Sequence, residues 1–458
     1  MKKAISLFLC LALAVSLSAC GDGAPRDAVW QETPVASQTN ESLTVFCMEG
    51  QKDSDMIKLA FNLYQNLYSD VQVELIIPGS ASYTLENQKE LYEQVASQIM
   101  AGEGPDVFII DDTIMDVEKL VRQGIFADME PFFEADNFDW EPYHQAVMDG
   151  GIWNGKRFVI PLSYDFPLLF TSKTALEETG FDVNACTDYQ GFLDETTRYM
   201  QDPSQTRQLF RQPLIITDVV GFSGITVADY DTQTIDLSSP LFKAGYQWYK
   251  TVMERNIYSF NDYMSDLSLS GAAAVRDGNV LWTPPLEGAL SGFYNEFSAI
   301  KTVDRAVMMP IRDADGGIRA KLKFPVAVRA NSENLQNAYD FIKILLSEEV
   351  QCAISREQLS VYGPANDYFF QKTSEGKMYH ITAGTNGFTS TVNSNEALDW
   401  PSEDEFEEFM GYTQEITGTY YDSHLGLGSA MNPYVYENAD YEETLEETRR
   451  AMEIYISE

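Results

Sequence analysis

Between residues 42 and 133 short apolar runs alternate with segments whose apolar positions recur every three or four residues. The run SLTVFCMEG (42–50) ends in a polar turn, and SDMIKLAFNLYQNLYSD follows with Ile57, Phe61, Tyr64 and Leu67 spaced as one helical face. VQVELIIPG (71–79) reads as a second strand. LENQKELYEQVASQIMAGEG then sets Leu91, Val95 and Ile99 on one side and stops at glycines, which commonly end helices. PDVFIIDD (105–112) predicts a third strand, and VEKLVRQGIFADMEPFF (117–133) a third helix with Val117, Leu120 and Val121 turned inward. Strand and helix in strict alternation predict an α/β sheet covered on both faces.

Ligands of such sheets collect beyond the carboxyl ends of the strands. Asp111 and Asp112 stand where the apolar run 107–110 ends, so a ligand's hydroxyls or amines are candidate partners for them. A cap on the helix near Val117, or a solvated turn, is the plainer use of the same acids. Farther on, ENLQNAYDFIKILLSEEVQ carries Leu335, Tyr339, Ile342, Leu346 and Val350 at helical spacing, a packing stripe. The acidic end, NADYEETLEETRRAMEIYIS, predicts a helix with Tyr441, Leu445, Met452 and Tyr455 inside and Glu442, Glu443, Glu446 and Glu447 solvated.

The first twenty residues change the picture. Lys2 and Lys3 precede an apolar run from Ala4 to Val15 and then LSAC, the layout of a secretory signal too short for an ordinary spanning helix. Leu-Ser-Ala-Cys resembles the bacterial lipobox, which makes Cys20 the lipidated, palmitate-bearing first residue and membrane anchor. Residues 21–42 are small and polar, as in a flexible tether. The formal charge is −39, and two more negative once Lys2 and Lys3 are removed, which argues against nucleic acid or an anionic bilayer as partner. Roughly 415 residues after the tether exceed one core, so two domains are expected. Cys47, Cys186 and Cys352 cannot all pair and fit no metal spacing; they read as small core residues, with one disulfide left open.

GEGPDVFIIDD, then VEKLVRQGIFADMEPFF, then GGIWNGKRFVIPLSYDFPLLFTSKTALEETGFD (150–182) resembles, in order and spacing, the family 1 extracellular solute-binding proteins of ABC importers. Phe158 stands where that family usually has tyrosine. GAAAVRDGNVLWTPP (271–285), MMPIRDADGGIRAKLKFPVAVRANSENLQNAYDFIKILLSEEVQ (308–351) and GPAN (363–366) continue the likeness across most of residues 43–370. The resemblance implies an α/β, two-lobed periplasmic-binding-protein-like fold with a ligand cleft between the lobes and a multi-strand hinge. It implies a first lobe from 43–165 plus about 324–370, a second from about 166–323, and a helical region, about 371–458, packed on them. It also implies a monomer without cofactor that closes on a small solute and delivers it to an ABC permease.

Aromatic residues near turns point to the solute, because sugar rings offer flat C–H faces to Trp and Tyr while their hydroxyls seek polar groups. Trp153, Tyr164 and Asp165 cluster at the expected lobe crossing, FVIPLSYDFPLLF (158–170). Trp282 and Glu287 follow a strand-like GNVLW, Tyr362 precedes GPAN, and Tyr83 follows the second strand. With 12% aromatic residues many of these are core, yet pocket linings also mix aromatics with a few polar groups. A sugar or oligosaccharide is the expected solute, with sugar phosphate, polyol, peptide or amine behind it. Replacing Trp282 or Asp165 by alanine is expected to weaken binding.

An enzyme is not expected. His144, His380 and His424 are scattered, GFSGI (221–225) lacks the second glycine of a hydrolase elbow, and DADGG (313–317) lacks later calcium ligands and predicts a hairpin turn. A glycoside hydrolase needs only two well-separated carboxylates, so it stays as an alternative among 70 acids. A surface sensor that presents solute to a receptor would have the same sequence.

Overall fold

The structure, a computed structural model, describes residues 42–48, 51, 54–76, 95, 97–99, 101, 103–111, 115–210, 218–256, 271–285, 289–355, 358–374, 399–421 and 427–457. Its first three strands follow the predicted rhythm. β1 (Ser42–Phe46) and β2 (Gln72–Ile76) run parallel, and β3 (Val107–Ile109) lies parallel to β1 on its other side. Helix Asp55–Leu67 makes the first crossover, with the Ser54 hydroxyl accepting the Ile57 amide at 3.3 Å as its cap. Its inner face is Met56, Ile57, Ala60 and Tyr64. Leu67, expected on that face, turns to solvent in the last turn, where Tyr68 stacks on Tyr64 at 4.7 Å instead.

Next comes a tight ribbon, β4 (Ile152–Trp153) and β5 (Lys156–Arg157), turned by Asn154 and Gly155 at φ 51° and 74°. The chain continues through β6 (Val159–Ile160), β7 (Ser163–Asp165) and β8 (Leu168–Ser172). A small hairpin, β9 (Ala228–Asp229) with β10 (Thr234–Ile235), precedes β11 (Ala306–Pro310), β12 (Ile318–Lys323) and β13 (Val326–Val328). β14 (Leu359–Ser360) and β15 (Ile416–Tyr420) are the last strands described.

β13 and β6 complete the first sheet, in the order β2-β1-β3-β13-β6, with β13 antiparallel to both neighbours. Alternate residues of each strand enter two different cores. Leu43, Val45, Val107, Ile109, Ile160 and Val326 pack on one face, while Phe46, Phe108, Ile110, Val159 and Ala327 meet Val95, Ile99, Val117, Leu120 and Val121 on the other. Burial on both faces is why β3, β6 and β13 are continuous apolar runs, whereas the edge strand β2, partly exposed, mixes polar and apolar residues.

A second sheet, β14-β7-β12-β15, holds the crossings. The chain leaves the first sheet at β6, passes through β7, and enters β8; it returns from β11, the antiparallel partner of β8, through β12 to β13. DADGG does close on itself, Gly316 donating to the Asp313 carbonyl at 3.1 Å, but β11 and β12 lie in different sheets. It is a corner between sheets and not the predicted hairpin. β15, parallel to β12, comes from the stretch read as helical; Ile416, Thr417, Thr419 and Tyr420 are strand-favouring types.

A separate core gathers helices Tyr189–Gln201, Pro240–Asn256 and Tyr441–Ser457 around Tyr199, Tyr246, Trp248, Trp282, Met431 and Met452. In the last of these the buried residues are Tyr441, Thr444, Thr448, Met452 and Ile456, so Tyr455 lies half out. The long stripe at 335–350 is wholly buried, but it belongs to two helices, Leu335–Leu345 and Glu348–Ile354, because Ser347 is extended at φ −65° and ψ 152°. No disulfide joins Cys47, Cys186 and Cys352, and burial pushes the Cys186 thiol up to about 12.

Candidate functional site

A cleft of about 320 Å³ opens where three parts of the chain meet. The first lobe contributes Glu118 from helix Val117–Arg122 and the stretch Asp149, Gly150, Ile152 and Trp153. Facing them are Val220 and Gly221 of helix Asp218–Ser223 and residues 224–228 with Tyr230. Arg319 of β12 and Thr419, Tyr420 and Tyr421 at the end of β15 supply the crossing-sheet side.

The Gly150-Gly151 pair sets the first wall against the sheet. A Cβ on Gly151 would fall 1.8 Å from the Val159 carbonyl oxygen, and one on Gly150 2.4 Å from the Thr419 hydroxyl. Only glycine allows that approach. Tyr421 donates its hydroxyl to the Gly150 carbonyl at 3.0 Å, and its ring lies almost parallel to Trp153, at 19° with centroids 6.1 Å apart. The two rings form an offset aromatic platform on the cleft wall.

Helix Val117–Arg122 ties the lobes together beside this wall. Asp116 caps it by accepting the Lys119 amide at 3.0 Å, and its other oxygen accepts the Tyr230 hydroxyl from the opposite lobe at 2.6 Å. Arg122 pairs with Asp231 across the gap and with Glu118 at 3.8 Å. Lys119 donates to the Tyr455 carbonyl at 2.9 Å and sits 4.0 Å over that ring. Lost hydration, then the Asp116 charge, push the Glu118 carboxyl up to about 7; Asp231 and Asp229 add to this and Arg122 opposes it. Ser223, of GFSGI, is fully buried and donates to the Val220 carbonyl at 2.7 Å.

A lobed molecule with a small mixed aromatic and polar cleft has the geometry of a receptor for a small molecule. The family profile for bacterial extracellular solute-binding proteins matches residues 49–351. The chain belongs to that family. Among solved structures, this solute-binding protein is similar to the sugar-binding protein MalE from Xanthomonas citri, with TM-score 0.60 and 12% identity over 91% of this chain and 97% of that one. It is also similar to a putative oligosaccharide periplasmic-binding protein from Synechococcus sp. MITs9220, with TM-score 0.60 and 11% identity over 91% and 99%. Maltose-bound MalE3 of T. maritima gives 0.55 and 15% over 90% and 99%. No curated protein gives a significant sequence match.

Of the residues expected at the site, Trp153 lines the cleft. Tyr83, Asp112, Glu287 and the lipidation candidate Cys20 lie outside the described residues. Asp111 is half-buried at the end of β3, with its carbonyl accepting the Met115 amide, and the carboxylate that reaches the cleft from this corner is Glu118. Tyr164 points into the first core, 5.2 Å from the His144 ring, and burial drives its phenol far above the ordinary value. Asp165, on the opposite face of β7, is buried 3.7 Å from Lys323. Trp282 is fully buried in the second core, edge-on to Phe181 at 5.4 Å, beside β8 where Thr283 donates to the Phe170 carbonyl at 3.0 Å. Tyr362 packs on Tyr143 at 5.3 Å. Sequence reasoning did not select Arg319, Tyr421, Tyr230 or Glu118. Two of them had a positional signal: Glu118 stands in a first helical turn at the edge of the apolar stripe Val117, Leu120 and Val121, and Arg319 alternates with the apolar Ile318 and Ala320.

Proposed function

We propose that this solute-binding protein captures a sugar or oligosaccharide in the cleft and delivers it to an ABC permease, held at the outer face of the membrane by a lipid on Cys20. The observation that carries the sugar reading is the Trp153–Tyr421 platform beside Thr419, Asp149 and Arg319, a flat apolar face next to hydrogen-bonding groups. Sugars present that same pairing of C–H faces and hydroxyls. The names of structural relatives, one sugar-binding and one bound to maltose, point the same way. Among the described residues no helix is long and apolar enough to cross a membrane, so in this reading the lipid supplies the attachment. The lobes are assigned as 43–165 with about 324–370, and about 166–323, with the remainder packed on both.

Thermal unfolding of the protein with neutral oligosaccharides, sugar acids, sugar phosphates, peptides and polyamines tests this. A ligand at a hundred times its dissociation constant adds about 2.7 kcal/mol to the native state. A rise confined to saccharides, recovered chemically unchanged, is expected. A rise for peptides or polyamines alone would remove the sugar assignment, and consumption of the compound would make the protein an enzyme.

A further inference from the structure

The crossing sheet carries an unusual row of charge. With 70 acidic residues against 31 basic ones, β12 nonetheless sets Arg319, Lys321 and Lys323 at alternate positions, hence on one face, while Ile318, Ala320 and Leu322 enter the core on the other. Lys323 has Asp165 at 3.7 Å, and Lys321 lies opposite Asp165 in register.

Arg319 differs from the other sheltered arginines. Arg122 pairs with Asp231, Arg157 with Glu130, Arg207 with Glu178 and Arg312 with Glu415. Arg319 forms no ion pair among the described residues. Its Nη2 donates to the Thr419 carbonyl at 2.5 Å, and its Nε is buried without a hydrogen-bond partner among the described residues. Asp313, the acid that acts on it most, accepts the amides of Asp315 and Gly317 with Oδ1 at 3.0 and 2.9 Å, while its Oδ2 lies at the same Gly224 corner as the Arg319 side chain without pairing to it. The guanidinium is seated between two glycines: a Cβ at Gly418 would come 2.7 Å from Nη1, and one at Gly224 3.3 Å from Cδ. Burial pulls its pKa below the ordinary value, and the charge of nearby Asp313, which forms no ion pair with it, opposes this only in part.

A sheltered charge is costly unless paired, and a guanidinium matches the planar fork of an oxyanion. We propose that the cleft selects a saccharide bearing a single anionic group, a carboxylate or a phosphate, which takes Arg319 as its counter-ion while a sugar ring rests on Trp153 and Tyr421. Glu118 and Asp149 in the first-lobe wall accept hydroxyls and stand against a second negative charge. This inference rests on the sugar reading above.

The test is calorimetric titration of the protein, Arg319→Gln and Arg319→Lys with cellobiose, its aldobiouronic acid counterpart, glucose and glucose 6-phosphate, with circular dichroism to establish folding. An anionic sugar is expected to bind at least tenfold more tightly than its neutral counterpart, with a preference that falls as salt rises. Arg319→Gln should lower the affinity of the anionic sugar at least tenfold and that of the neutral one less than threefold, and Arg319→Lys should keep part of the preference. Whether the carboxylate or the phosphate benefits identifies the anionic group. Equal binding of charged and neutral sugars, or equal losses in Arg319→Gln, would overturn the inference and leave the sugar reading standing. Failure of every saccharide would overturn both. If Arg319→Gln does not fold, the preference of the native protein and of Arg319→Lys decides.

Discussion

Asp106 shows how one polar residue can organise a lobe without touching ligand. It is buried at the start of β3, where its carboxylate accepts the Thr44 amide at 2.9 Å, the Thr44 hydroxyl at 2.7 Å, the Ser332 hydroxyl at 2.6 Å and the Asn334 amide at 3.0 Å, with Arg329 at 3.6 Å. Asp106→Ala strands all of these donors and a sheltered cation, so it should cost about 3–5 kcal/mol in urea unfolding. Two tryptophans provide the contrast. Trp153→Ala removes half of the cleft platform and should weaken solute binding about tenfold or more at nearly unchanged stability, as stacking partners commonly do. Trp282→Ala empties a fully buried site and should cost about 3–5 kcal/mol of stability. A Trp282→Ala protein that keeps its unfolding midpoint but loses affinity would instead put this residue in the binding site.

Helix Val117–Arg122 is short, yet it carries both a core stripe and the cleft's electrostatics. Val117, Leu120 and Val121 hold it to the first sheet, which turns Glu118 and Arg122 toward the opposite lobe. Glu118 binds its proton more tightly in the folded chain than in the unfolded one, because its carboxyl is raised from 4.5 to about 7. Its contribution to stability is therefore most favourable below pH 4.5 and is lost as pH climbs through 7. Glu118→Gln should raise the melting temperature at pH 8 relative to the native protein, and this gain should shrink toward zero by pH 4.5. A gain independent of pH would place the cause elsewhere.

At the scale of the entire protein, a few contacts join parts of the chain that lie far apart in sequence. Arg122–Asp231, Tyr230–Asp116 and Lys119–Tyr455 all bridge the gap beside the cleft. Asp231 is half exposed, so its pair contributes no more than about 1 kcal/mol, which still shifts an open-to-closed ratio by up to about fivefold. Arg122→Gln should enlarge the radius of gyration of the solute-free protein in X-ray scattering and lower solute affinity by up to that factor. An unchanged scattering curve would mean the contact does not hold the lobes.

The alternation of apolar runs and helical stripes was enough to specify the doubly covered sheet, since burial on both faces demands continuous apolar strands such as 107–110 and helices with inner faces such as Val117, Leu120 and Val121. The order of short motifs was enough to place the chain in its family. Hydropathy could not rank the aromatics, because Trp153 and Trp282 are the same residue type at similar strand ends, and only packing exposes one and buries the other. Nor could it foresee β15, whose short strand acquires its partner from β12, almost a hundred residues earlier, and brings Tyr421 to Trp153. Local patterns are set by neighbours within a few residues, whereas a cleft between lobes is assembled from segments brought together by long-range pairing; that Arg319 sits there without an ion pair among the described residues is a property of that assembly alone.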